Sequence, residues 1–279
     1  MSEGILNSIN IILEKIYKSI EGNVYVTLDK LVNISPNILN KEPLKYVFKE
    51  DKYGMIFVAT SLILFYVVQY MLTKLIDMYS GKSTENTYKF ILKIVIVTVL
   101  ASNSKYLCDM VLQINHLFTE IIESVGKNIS GEKICFEKFS EVVLDLEKYM
   151  SKDNISIDGV IKGFIGFGMT TLLINYSVRY VTAIFCILTM PLCIMFSISS
   201  NTIGIFNSWL RISVVTLCEQ WLVKLLLIIP ISFRKVDEEM FKIVIVGTVY
   251  LLYKINSFSK EFLGSVYTRK AKEWLDEKD

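Results

Sequence analysis

Residues 53–73 (YGMIFVATSLILFYVVQYMLT) form a run of 21 residues without a single charge. At about 1.5 Å of rise per residue, a helix of that length is about as long as a bilayer is thick. The run therefore reads as a membrane span, and the rest of the chain has to be compatible with lipid. Composition agrees: 52% of the residues are hydrophobic with glycine left out, and the mean hydropathy is +0.45. That lies above the usual proportion for a soluble domain. Thirty basic residues against 28 acidic ones leave a net charge of +2, which gives no global attraction to nucleic acid. The one histidine, His116, argues against histidine-rich metal sites and histidine-based catalysis. Nothing matches a phosphate-binding loop, a metalloprotease helix or a nucleophile elbow, so no catalytic, cofactor or metal site is expected.

Four further segments extend the membrane reading. Residues 90–107 are apolar with Lys93 and Lys105 near the ends, where lysine snorkels to the interface. Their periodicity continues through Leu112, Leu117 and Ile121, which predicts a helix projecting beyond the membrane. Residues 163–210 carry one charge, Arg179. Two spans with a hairpin near Arg179 compete there with one tilted helix that breaks at Pro191. No glycine or proline surrounds Arg179, whereas Pro191 and the Ser199-Ser200-Asn201 cluster look like a break, so one helix is the expectation. Residues 206–231 form a fourth span, interrupted by Arg211, Glu219 and Lys224 and closed by Pro230, and residues 241–258 form a fifth.

Basic clusters orient such a chain, because they favour the cytoplasmic side. Lys74, Lys82, Lys89 and Lys93 crowd the first connection, and Lys254, Lys260, Arg269, Lys270 and Lys272 follow the last span. Five spans put both clusters inside; six cannot. The expected fold is an all-α polytopic membrane protein with about five spans, its amino end outside and its carboxyl end cytoplasmic. Residues 1–52 are an outer segment whose first part, Ile5 to Ile20, has the spacing of an amphipathic helix rather than of a cleaved signal. Residues 53–111 hold spans one and two, and residues 112–159 an outer helical loop. Residues 160–258 hold the remaining spans, and residues 259–279 form a cytoplasmic tail.

Two groups of residues stand out. Arg179 and Glu219 lie near the middle of antiparallel spans at similar depth, where ionisable groups are costly and face protein or water. A mutual ion pair that locks the bundle is the simpler reading, and a polar pathway shared with Lys224 is the other. In the loop, Phe136, Phe139, Val142, Val143, Leu146 and Tyr149 recur at three- and four-residue steps among charged residues. This face packs on the amino-terminal helix of the same chain, or else Phe136, Phe139, Val143 and Leu146 form an outer docking face. Gly163, Gly166 and Gly168 permit close helix approach. Cys186, Cys193 and Cys218 sit in apolar runs as small hydrophobes, and Cys108 and Cys135 are expected to be free thiols unless both meet an oxidising compartment.

Arg179-Tyr180-Val181, an apolar run, Pro191-Leu192, a small polar patch over 197–202 and Phe206-Asn207-Ser208-Trp209-Leu210 leading to Gln220 together resemble a family. It is the TrbL/VirB-type polytopic inner-membrane subunit of conjugative type IV secretion systems. The resemblance covers mainly residues 163–231, and the order of spans and outer loop is similar as well. It implies a structural, non-enzymatic channel subunit in a bacterial plasma membrane, in an oligomer or hetero-complex. Implied partners are the lipid bilayer, other secretion subunits including cytoplasmic ATPases, and a transient DNA–relaxase substrate. Between Asp109 and Asp158 there are ten acidic residues and five lysines, net −5. Tight binding of phosphates by that loop is therefore not expected. The competing reading is a small transporter or permease subunit with Arg179, Glu219 and Lys224 lining its route, against which no inverted repeat of the Arg179–Trp209 pattern is found.

Overall fold

Helices account for every regular element that the structure, a computed structural model, describes. The described residues are 23–48, 54–81, 86–148, 157–233 and 238–276. The expected amphipathic helix over residues 5–20 and Tyr149 lie outside them. In chain order the helices are α1 (Asn23–Val32), α2 (Glu42–Val47), α3 (Met55–Ser80), α4 (Thr87–Ser102), α5 (Ser104–Ser130), α6 (Phe136–Lys148), α7 (Ile157–Met195), α8 (Ile203–Phe233) and α9 (Glu238–Asp276), with a 3-10 turn at Pro36–Asn40. Among the described residues four helices are long and apolar enough to cross a membrane, or five if the bent pair α4 and α5 counts as one span. The protein is an all-α polytopic membrane protein.

Local chemistry sets the ends of these helices. Gly81 closes α3 in the left-handed region at φ 67°, its N–H reaching back to the carbonyls of Asp77 and Met78. The Asn86 side chain accepts from Tyr88 N at 3.0 Å and so caps α4. The single projecting helix expected after residue 90 is instead two helices that meet at Asn103 with a 65° bend. Asn103 turns its own amide onto the Val99 carbonyl at 2.8 Å, competing with the helical ladder, and the chain resumes as an amphipathic helix.

The third apolar region is one helix, as parity required, but it does not break at Pro191. α7 runs past that proline to Met195. Proline removes one N–H, and so near a helix end it costs one hydrogen bond rather than the helix. The chain leaves helical geometry in the following polar patch, where Ser199 O accepts from Thr202 N and Ile203 N and Thr202 Oγ1 donates to Phe196 O at 2.7 Å. Likewise α8 continues through Pro230 to Phe233. At 39 residues, α7 is about 58 Å long, well beyond the ~30 Å hydrocarbon layer.

Two compact units emerge. Unit 1 comprises the described residues of 1–34, 117–181 and 215–279. Its core joins Tyr25, Leu28 and Val32 of α1 and Phe136, Phe139, Val142, Val143 and Leu146 of α6 to Ile165, Met169, Leu172 and Tyr176 of α7, Val223 and Leu227 of α8, and Phe241 to Ile255 of α9. Unit 2 comprises residues 35–116 and 182–214. Its core is smaller: Ala59 and Tyr66 of α3, Phe90, Val97 and Ala101 of α4, and Ile194, Met195 and Ile198.

Candidate functional site

The intramembrane charges lie in unit 1, and α8 organises them. Glu219, Gln220 and Lys224 lie three, four and eight residues after Thr216, so the four share one face of that helix. All four are buried. Arg179 on α7 meets this face. Its Nε lies 3.1 Å from Glu219 Oε2 and donates to Thr216 O at 3.0 Å; Nη2 donates to the same carbonyl at 2.7 Å. Nη1 donates to Val32 O at the end of α1, at 3.1 Å. The expected Arg179–Glu219 pair therefore forms, and each of the three guanidinium nitrogens also donates to a backbone carbonyl. A guanidinium suits this task, because its planar fork serves several acceptors at once.

One turn further along α8 the contacts change partner. Gln220 Oε1 accepts from Ile34 N at 3.3 Å, and its Nε2 donates to Thr119 Oγ1 of α5 at 3.0 Å. Lys224 does not join Arg179 and Glu219. Its Nζ sits 2.7 Å from Glu123 of α5 and 4.0 Å from Asp29 of α1, and donates to Ile134 O at 3.1 Å. Lysine 224 is thus fixed inside the protein rather than snorkelling outward, while both carboxylates keep some exposure. One buried cation ties together three segments far apart in sequence.

Asp29 does a second job. Its Oδ1 accepts from Phe136 N at 3.0 Å and its Oδ2 from Glu137 N at 3.1 Å. The first turn of α6 is thereby capped by a side chain from another helix, which satisfies two N–H groups that a helix start leaves open. Burial pushes the Asp29 carboxyl above its ordinary value, outweighing those two bonds and the nearby Lys224, which pull it down. Burial also raises the Cys135 thiol, beside the same helix start.

The proposed outer docking face is occupied by the protein itself. Phe136 and Phe139 are 0% exposed, Val143 and Leu146 1%. They pack against α1 and the apolar helices of unit 1, and Phe136 meets the Tyr176 ring edge-on at 6.1 Å. A partner subunit has no access to this face; an amphipathic helix buries its stripe on whatever apolar surface is nearest. Among the flagged glycines, Gly168 lies so close to Val249 of α9 that a Cβ there would sit 2.5 Å from Val249 Cγ1. Cys108 and Cys135 are both free.

Arg179, Glu219 and Lys224 stand out in the sequence, whereas Asp29, Glu123, Thr119 and Gln220 join them only in the fold. The signal for Gln220 was present, since it shares the polar face of an otherwise apolar helix. Asp29 and Glu123 sit among ordinary charged residues of amphipathic helices, where nothing local sets them apart. Compared with known proteins, the chain matches no family model, no curated protein and no solved structure.

Proposed function

We propose that this protein is a structural membrane subunit of a conjugative type IV secretion apparatus, placed in a bacterial plasma membrane with its amino end outside and its carboxyl end in the cytoplasm. Two lines support the reading: the family-like order of features over residues 163–231, and the way the intramembrane charges are used. The second carries it. Arg179 is buried, pairs with the Glu219 carboxylate and donates to Thr216 O and to Val32 O, three fixed partners on two helices. A group held in this manner locks helices together, as buried ion pairs do when they specify one arrangement. A relay would need it to exchange partners. In this role the chain works beside cytoplasmic ATPases and other secretion subunits and catalyses no reaction of its own.

Deletion of the gene tests the proposal. Loss of conjugative DNA transfer, restored by the wild-type chain, together with co-purification of other transfer proteins in mild detergent, is the expected result. Unchanged transfer and recovery of the chain alone would reject it. Orientation has its own test: a cysteine at Ser140 reacts with an impermeant reagent added to intact cells, and one at Ser265 is protected. The permease reading draws on the partial exposure of Glu123 and Asp29 around Lys224. Solute flux into proteoliposomes that Glu219→Gln abolishes would favour it.

A further inference from the structure

We propose that α6 and the second half of α5 line a water-filled space at the depth of the bilayer, while the exposed apolar side chains of α7 and α9 meet lipid. The inference rests on reading α7, α8 and α9 as spans and is independent of the secretion role.

The first observation is register. Going along α5, Phe118 packs its ring 4.9 Å from that of Trp221, Thr119 bonds Gln220, and Glu123 pairs with Lys224; a Cβ on Gly126 would collide with Ile228. The contacts advance in step along both helices, so this half of α5 runs parallel to α8 and shares its level. α6 is at that level too, through Phe136 on Tyr176, and Ile134, just before its first turn, accepts from Lys224.

The second observation is what these two helices show on their outer sides. At about 100° per residue, Glu120, Ser124 and Lys127 fall on one arc of α5, and Leu117, Ile121 and Val125 on the next; all six are exposed. The buried arc, with Thr119 and Gly126, lies between them on the far side. α6 likewise turns Glu137, Lys138, Glu141 and Asp145 away from its buried stripe. Charged arcs of this size do not face acyl chains.

The third observation excludes the simplest escape, in which unit 1 stands wholly in water. Phe167 is 76% exposed, Ile174 60% and Ile243 66%, with Val178, Val181 and Leu251 also exposed. An apolar surface that wide on α7 and α9 needs lipid. Unit 1 thus has a greasy side and a charged side at one depth, with the boundary running along α5. The charged side holds Glu120, Glu137, Glu141 and Asp145 against Lys127 and Lys138. Its acid excess suits cationic groups better than phosphodiesters.

Reactivity of single cysteines tests this in the full chain, reconstituted in liposomes, with the native cysteines replaced by alanine and the reagent present on both sides. Cysteine is placed at Ser124, Ser140, Phe167 or Ile174. With a cationic, membrane-impermeant methanethiosulfonate, Ser124→Cys and Ser140→Cys are expected to react as exposed thiols do. Phe167→Cys and Ile174→Cys react slower by roughly a hundredfold, the penalty on a charged reagent in hydrocarbon. Fast reaction at all four positions places unit 1 in bulk water and overturns the proposal; slow reaction at all four seals the charged side and overturns it equally. The two serine positions lie on different helices, so loss of fold in one variant leaves the other to decide. The cationic reagent should also outrun its anionic counterpart at these positions by more than it does on a free thiol. An equal or smaller ratio overturns the acidic character of the space.

Discussion

Units 1 and 2 are assembled from the same material, long apolar helices, yet they handle polarity in different ways. In unit 1 the spans are clothed by α1, α6 and part of α5, and charged groups reach inward: Arg179 to Glu219, Lys224 to Glu123 and Asp29. Among the described residues of unit 2, no amphipathic layer of that kind covers α3, whose Leu64, Phe65 and Ile76 are 62% exposed or more. Its internal polar contacts are mostly neutral. Tyr66 OH meets Thr202 Oγ1 at 3.3 Å, Tyr70 OH donates to Thr87 Oγ1, and Trp209 Nε1 donates to Thr189 Oγ1 at 3.1 Å. The lesson is that a span bathed in lipid needs only shape and a few hydroxyls, because lipid is as apolar as its neighbours. A span given amphipathic neighbours needs charges to hold them in one place.

If charge does that work in unit 1, removing one partner there should have the largest effect. Glu219→Leu leaves the Arg179 guanidinium buried without its carboxylate, at a cost of about 3–5 kcal/mol. The double variant Arg179→Met with Glu219→Leu should recover most of the loss. Denaturant titration in detergent micelles measures both, and a double variant as unstable as the single one would break the ion-pair account. Next comes packing. Gly168→Val brings a side chain onto Val249 and should cost about 1–3 kcal/mol, relieved when Val249→Ala is added. No relief would mean that the helices separate for another reason.

The cap of α6 ranks third. Asp29→Ala removes the acceptors for two N–H groups and should cost about 0.5–2 kcal/mol, whereas Asp29→Asn keeps one acceptor oxygen and so only part of the cap. The pH dependence separates charge from capping. Because the folded carboxyl titrates above its unfolded value of 3.8, the folded state binds the extra proton in the window between the two. Stability contributed by Asp29 therefore falls as pH rises through that window. Asp29→Asn should flatten this slope, seen as a stability that changes less from mildly acidic to neutral pH. An unchanged slope would assign the pH dependence to other groups.

How far the sequence carries depends on whether a signal is local. The span at 53–73 and the single helix through Arg179 follow from uncharged length and from the lack of glycine or proline, and both are present as α3 and α7. The Arg179–Glu219 pair was legible too, because a charge in an apolar run has few ways to be satisfied. The bend at Asn103 was not, since it turns on one side-chain amide competing with the backbone. Pro191 misled for the converse reason: its cost depends on how near the helix end lies, which sequence alone does not show. The role of Lys224 needed tertiary structure, with Asp29 some two hundred residues away along the chain. The apolar stripe of α6 was visible, but which surface covers it was decided by proximity in the fold.

The smallest expected effect tests the other half of the comparison. Tyr66→Phe in unit 2 removes one hydroxyl, its contact with Thr202 Oγ1, and leaves the ring in the core with Ala59 and Phe90. Hydrogen bonds between membrane helices average about 0.6 kcal/mol, because the same groups also find partners when the helices are separated in the membrane. Thr202 already has them: its Oγ1 also donates to Phe196 O at 2.7 Å. Tyr66→Phe should thus shift a denaturant midpoint by an amount close to the error of the measurement, while Tyr66→Ala, which empties the ring's volume, should cost about 3–5 kcal/mol. A large loss from the hydroxyl alone would show that unit 2 is also held by polar contacts, and the contrast with unit 1 would fail.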